Sequence, residues 1–122
     1  YWQSIDPVEA VHELGEDDAI KYVHAKDTKI YPRNVRVNGV LDTKSYLEEE
    51  DRSWTFRTLG YGHGEDHWKD LVSALRMNGY DGALSVEHED TLMSTLEGLE
   101  KAIDVLNRAI FKEEAGGLDL PE

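Results

Sequence analysis

Cysteine is absent from all 122 residues. That excludes disulfides, thiolate zinc sites and a cysteine nucleophile, and it fits a reducing, cytoplasmic setting. Also missing is any uninterrupted apolar run near the roughly 20 residues a membrane span requires. The opening residues Tyr1, Trp2, Gln3 and Ser4 have neither the basic start nor the apolar core of a secretion signal. No initiator Met precedes them, so a processed or truncated piece of something longer is expected. Positive charge is scarce: 13 Lys and Arg stand against 26 Asp and Glu, a formal net charge of −13. Such a surface repels phosphate backbones and anionic bilayers over most of its area, and no dense Lys/Arg cluster offsets it. Neither a nucleic acid nor a membrane is expected as a partner.

What is present suits one folded domain over residues 1–114, followed by a mobile tail at 115–122. The apolar fraction of 39% beside 32% charged residues belongs to soluble globular chains rather than disordered ones. Asp6 is placed as a helix N-cap, Pro7 as the first helical residue and Glu9 as the reciprocal capping group. Val8, Val11 and Leu14 recur at helical spacing, and Gly15 can end the helix. Residues 20–27 read as a buried strand with Tyr22, His24 and Lys26 on one face. Between 28 and 60 the rhythm breaks. Asn38 and Gly39 predict a tight hairpin turn within residues 35–41, the stretch 46–52 is acidic, and Trp54, Thr55 and Phe56 form a short extended return. A loop of this length in a compact domain is usually functional.

Gly60, Gly62 and Gly64 then flank Tyr61 and His63 in a glycine-rich turn that leads into a helix. Its apolar stripe is Trp68, Leu71, Val72 and Leu75. Residues 82–87 read as a second buried strand with Ala83, Ser85 and Glu87 on one face. Ser94 and Glu97 suit a capping box for a last helix, whose stripe is Leu96, Leu99, Ile103, Leu106 and Ile110. Strands separated by helices imply parallel βαβ units. Two strands are too few for a parallel sheet, which is normally covered on both faces. Further strands must come from elsewhere.

Four stretches then fall in order: His24, Ala25, Lys26, Asp27; the Gly60 to Gly64 turn; Asn78, Gly79, Tyr80, Asp81, Gly82; and Ser85, Val86, Glu87, His88, Glu89, Asp90. Their order and spacing resemble the xylose isomerase-like (AP endonuclease family 2) superfamily of TIM barrels. Sugar-phosphate isomerases and epimerases, inosose dehydratases and endonuclease IV-type repair enzymes belong to it. The resemblance runs over residues 5–108. It implies an α/β fold that is the C-terminal part of a (β/α)8 barrel: a sixth helix, strands seven and eight, the last two helices, and a long hairpin-containing loop. About 250 residues make a complete barrel.

The resemblance also implies roles. His24 stands where the family places a metal-binding histidine, and a lumen-facing imidazole near a strand's C-terminal end suits that role. A hydrogen-bonded core histidine is the plainer alternative. Glu87 stands where the family has a metal-binding glutamate that in some members also acts as acid or base. A salt bridge to Lys26 is the competing role, and both can hold. Lys26 and Asp27 either contact substrate oxygens or a phosphate, or form a structural ion pair. Arg57 and His63 are further candidate substrate contacts. An anion at the helix N-terminus after the glycine turn is disfavoured, because Glu65 and Asp66 occupy that first turn. His88 is expected to point out of the lumen, while His12 and His67 sit on helices as solvated residues.

The implied activity is sugar or sugar-phosphate isomerisation or epimerisation, with a divalent Mn, Co, Mg or Zn ion assisting proton transfer alpha to a carbonyl through an enediolate. An inosose dehydratase-like lyase would use the same metal site. Endonuclease chemistry fits poorly, since residues 31–41 lack the histidine its additional zinc ions need. With only His24 and Glu87 present, the isolated chain is expected to be incomplete and inactive. A non-catalytic barrel fragment that self-assembles, or that associates with the missing N-terminal part, is the alternative.

Overall fold

A computed structural model of the chain describes residues 1–118. Its first helix, α1 (Pro7–Gly15), starts as the sequence dictates: the Asp6 carboxylate accepts the Val8 N–H at 2.9 Å, and Pro7 needs no donor there. The chain then forms β1 (Val23–Ala25) and, one residue later, β2 (Asp27–Ile30). The single strand expected over 20–27 is therefore two short strands that part company at Lys26. β1 pairs in parallel with β4 (Leu84–Val86), His24 opposite Ser85. β2 pairs antiparallel with β3 (Trp54–Arg57), Asp27 opposite Arg57.

The segment between β2 and β3 corrects a second expectation. Residues 35–41 do not turn back as a hairpin; Pro32–Asn38 form a helix, α2, and Gly39 ends it at φ 74°. Pro32 at the first helical position and a glycine at the left-handed stop outweigh the alternating valines. The Asn34 amide then donates to the carbonyls of Glu50 and Arg52, tying α2 to the chain that follows it. A 3-10 stretch (Tyr46–Asp51) leads into β3. The hairpin-containing loop exists, but β2 and β3 are its arms.

α3 (Glu65–Met77) buries Trp68, Leu71, Val72 and Leu75, the predicted stripe. α4 (Thr95–Ala109) starts at Ser94, whose hydroxyl accepts the Glu97 N–H. Its buried face is corrected in part: Leu106 of the expected stripe is buried, but its inward companions are Gly98, Ala102, Val105 and Ala109, while Leu96 is 70% and Ile103 50% exposed. Small residues allow close approach. A Cβ on Gly98 would overlap the His88 ring, so the helix can seat only with its glycine–alanine face down. α1 and α3 pack together, α3 and α4 pack together, and Leu84 and Val86 of β4 close the core from the sheet side. Residues 111–118 carry no helix or strand, and 119–122 of the expected mobile tail lie outside the described residues. Among the described residues no helix is long and apolar enough to cross a membrane.

Candidate active site

The parallel register of β1 and β4 brings two of the anticipated residues together. Ala25 accepts the Glu87 backbone N–H at 3.2 Å, which seats Glu87 just beyond the end of β4 and beside the end of β1. There His24 Nδ1 lies 3.4 Å from Glu87 Oε2. Both side chains remain open to solvent, 62% and 43% exposed. His24 is therefore no buried core histidine.

Lys26 joins them from the break between β1 and β2. Its ammonium is 2.8 Å from Glu89 Oε1 and 3.7 Å from Glu87 Oε1, and it rests 3.8 Å from the centre of the Phe56 ring. Of the alternatives read from the sequence, the Lys26–Asp27 ion pair does not form and the Lys26–Glu87 salt bridge does; both lysine–carboxylate contacts go to the residues after β4. Phe56 and Glu89 fix the position of the ammonium; Glu89 stands in the motif around Glu87 but was given no role from the sequence, and Phe56 was read only as part of a short extended return. The period-two spacing of Glu87 and Glu89 was the signal for Glu89.

Asp27 turns the other way. It is fully buried, and its carboxylate is saturated by the protein. Oδ2 accepts the N–H groups of Gly60, Gly62 and His63 at 3.1, 2.9 and 2.8 Å. Oδ1 accepts the Thr28 N–H at 2.8 Å and lies 2.7 Å from His63 Nδ1. A carboxylate can only accept, so His63 carries a proton on Nδ1 and donates it to Asp27. Asp27 was expected to touch substrate or pair with Lys26; instead it holds the glycine-rich turn in shape. Gly62 is required there, because a Cβ would stand 2.5 Å from both Asp27 Oδ1 and the Thr28 carbonyl oxygen.

His63 lies among aromatic neighbours, its ring centre 4.5 Å from those of Tyr1 and His67. The Tyr1 hydroxyl is 2.8 Å from His67 Nε2. His67 is thus half-buried and engaged, not solvated as its helical position suggested. Burial, followed by the neighbouring His63 ring, pushes its pKa below the ordinary histidine value. His12, by contrast, stays exposed, as expected.

Arg57 occupies a third position. Its Nε donates to Asp90 Oδ2 at 3.0 Å, and its side chain is 15% exposed against 0% for Asp90. Asp90 also accepts the N–H groups of Thr58 and Leu92. Burial raises the Asp90 carboxyl, but those two N–H groups and the Arg57 guanidinium outweigh it and leave the group below the usual carboxylate range. The pair ties the end of β3 to the segment after β4, on the flank of the His24–Glu87 cluster. His88 points out of that cluster to α4, its Nε2 3.3 Å from the Met93 carbonyl. Among the described residues no three His, Asp or Glu side chains gather as a metal cage. The His24–Glu87 pair supplies two donors that suit part of such a set.

With this geometry in place, a family model described as xylose isomerase-like TIM barrel matches residues 1–109. The chain is also similar to the uncharacterized protein YfiH of Bacillus subtilis (strain 168), at 37% identity over 109 residues, which is 89% of this chain and 34% of the relative. The chain thus spans about a third of the length of that curated relative.

Proposed function

The chain belongs to the xylose isomerase-like TIM barrel family, and on that basis we propose that it contributes one wall of the active site of a metal-assisted sugar isomerase or epimerase. The supporting observation is the convergence of His24 Nδ1 and Glu87 Oε2, 3.4 Å apart, where two adjacent parallel strands end. Barrel enzymes assemble their sites at that end of the strands. An imidazole nitrogen and a carboxylate oxygen are suitable donors for Mn, Co, Mg or Zn ions. The remaining ligands would come from other strands of the barrel.

A divalent ion, when bound, polarises a sugar carbonyl and its neighbouring hydroxyl. In this reading Glu87 takes the proton alpha to that carbonyl, and a second carboxylate from the rest of the barrel returns one to the resulting enediolate. Lys26 steadies Glu87 and, with Arg57 and His63, meets substrate oxygens. Asp27 acts only by shaping the turn that presents His63.

Two measurements test the proposal. In the complete barrel with Mn2+, Glu87→Gln is expected to lower kcat by roughly 100-fold or more, while His24→Ala lowers the bound metal content. Unchanged turnover in the first variant, or unchanged metal in the second, contradicts it. The isolated chain with added Mn2+ is expected to be inactive, and robust turnover of any ketose by it would show that the missing strands are dispensable.

A further inference from the structure

We propose that the excursion between β2 and β3 is a dimerisation surface, on which a second copy of the same protein docks through Val37, Leu41 and Leu47. The proposal is independent of the chemistry assigned to the strand-end cluster. Residues 31–53 are built inside out, with their polar side chains turned inward and used up. The buried Asp42 carboxylate accepts the N–H groups of Ser53 and Lys44. The Asn34 amide donates to the carbonyls of Glu50 and Arg52, and that of Asn38 to the Asp51 carbonyl. The buried Arg52 guanidinium donates to the carbonyls of Lys44 and Trp54 and packs on the Tyr46 and Trp54 rings. The apolar side chains are left in solvent instead: Val37 is 83%, Leu41 66% and Leu47 97% exposed. Single exposed apolar residues are ordinary. Three within residues 37–47, on a segment already braced by its own hydrogen bonds, present apolar surface that needs little further ordering to bind.

Charge selects the occupant. Residues 31–53 hold four Lys and Arg against five Asp and Glu, a net −1 out of the chain's −13. Two copies can therefore approach here without the repulsion that the rest of the surface carries. Both signs are also on offer. On α2, Arg33, Arg36 and Val37 share a face turned away from Asn34 and Asn38. In the 3-10 stretch, Glu48 and Glu50 follow Leu47. Among the described residues none of Arg33, Arg36, Glu48 and Glu50 is in an ion pair. A twofold contact sets α2 of one copy against residues 46–51 of the other, and the reverse, so each arginine pair meets carboxylates of the opposite copy. A strongly basic or strongly acidic partner would leave half of these charges unanswered.

Sedimentation equilibrium of the complete barrel tests the proposal, because a closed barrel pairs the free edges of β1 and β4 and leaves association through them out. The wild-type barrel is expected to be a dimer at micromolar concentration. Leu47→Glu and Val37→Glu are each expected to raise its dissociation constant about tenfold or more, since each removes an apolar contact and places a charge in the interface. Side chains this exposed are replaced with little effect on folding. Met77→Glu adds the same charge at a residue 77% exposed outside the excursion, and is expected to leave the dimer unchanged. A monomeric wild-type barrel overturns the proposal. So does a dimer that Leu47→Glu and Val37→Glu leave intact, or that Met77→Glu weakens equally. Alkylation of a Leu47→Cys variant, read by mass at that residue, identifies the cover. It is expected to slow as the dimer fraction rises with concentration. Equal protection in the dilute monomer assigns the face to other strands of the same barrel and overturns the proposal.

Discussion

At the scale of single residues, Asp27 does the most for its size. One fully buried carboxylate collects four backbone N–H groups and an imidazole N–H. Removing it strands the buried Thr28 N–H and leaves the part-buried donors of the turn without their common acceptor, at about 1–3 kcal/mol for each that water does not reach. Asp27→Ala is therefore expected to lower unfolding free energy by about 3–5 kcal/mol in urea titrations, and a loss below about 1 kcal/mol would refute the saturated geometry. Gly62→Ala drives a Cβ into the Thr28 carbonyl and is expected to cost about 1–3 kcal/mol. Gly64→Ala, with no atom within 4 Å of its added Cβ, should change stability little. That contrast separates the clash from a general dislike of alanine in the turn.

His67 makes a different prediction. Its folded-state pKa is depressed by burial and by His63, so the folded form favours the neutral ring. The unfolded chain takes up its proton near pH 6.5. Stability from this residue is therefore complete above about pH 6.5 and is lost as pH falls through the lower folded-state value. Urea midpoints measured downward from neutral pH should fall more steeply for wild type than for His67→Gln. Equal slopes would remove His67 as the source. Asp90 acts in a separate window, since its depressed carboxyl loses its contribution only below the usual carboxylate range.

At the scale of elements, legibility followed the strength of local chemistry. α1 could be read because Asp6 and Pro7 start it by local capping alone, and α3 because the Trp68–Leu75 spacing marks the face the core buries. α2 was misread, since Asn38 and Gly39 serve equally as a hairpin turn or as a helix stop. Pro32, six residues upstream, decided the matter. α4 was placed correctly in the chain but wrongly turned. Hydrophobicity ranks Leu96 and Ile103 above Gly98 and Ala102, whereas the fit against His88 and Thr58 requires the small side chains inward. In the site, strand spacing put His24 and Glu87 on strand faces, but it was the family resemblance that singled them out as a pair. The Asp27 cradle was not legible, because all its donors but the Thr28 N–H lie more than 30 residues away in sequence. The rotated α4 can be tested directly. Ala102, 2% exposed, has no room for a larger group, so Ala102→Leu is expected to cost about 1–3 kcal/mol. Leu96→Gln, on the exposed face, should stay within about 0.5 kcal/mol of wild type by the same urea titration. The reverse ranking would restore the orientation read from the apolar stripe.

For the whole molecule, two opposing terms govern what the chain does alone. β1 and β4 pair with each other and, among the described residues, leave their outer edges unpaired. Beside them, Leu84, Val86, Ile103, Ile110 and Phe111 line an open apolar groove between α3, β4 and α4. Unpaired edges and an open apolar groove favour association with another copy or with complementary strands. The net charge of −13 opposes association between identical copies. The opposition is screened by salt, while edge pairing and apolar burial are not, because the Debye length falls from about 30 Å at 0.01 M to about 3 Å at 1 M. The apparent mass of the purified chain by size-exclusion chromatography should therefore rise with salt and with protein concentration together. A polypeptide carrying the complementary barrel strands should suppress that rise by taking up the same edges. If the chain instead stays monomeric at molar salt, the free edges and the groove are protected within this chain, and the barrel partner would have to be recognised by some other surface.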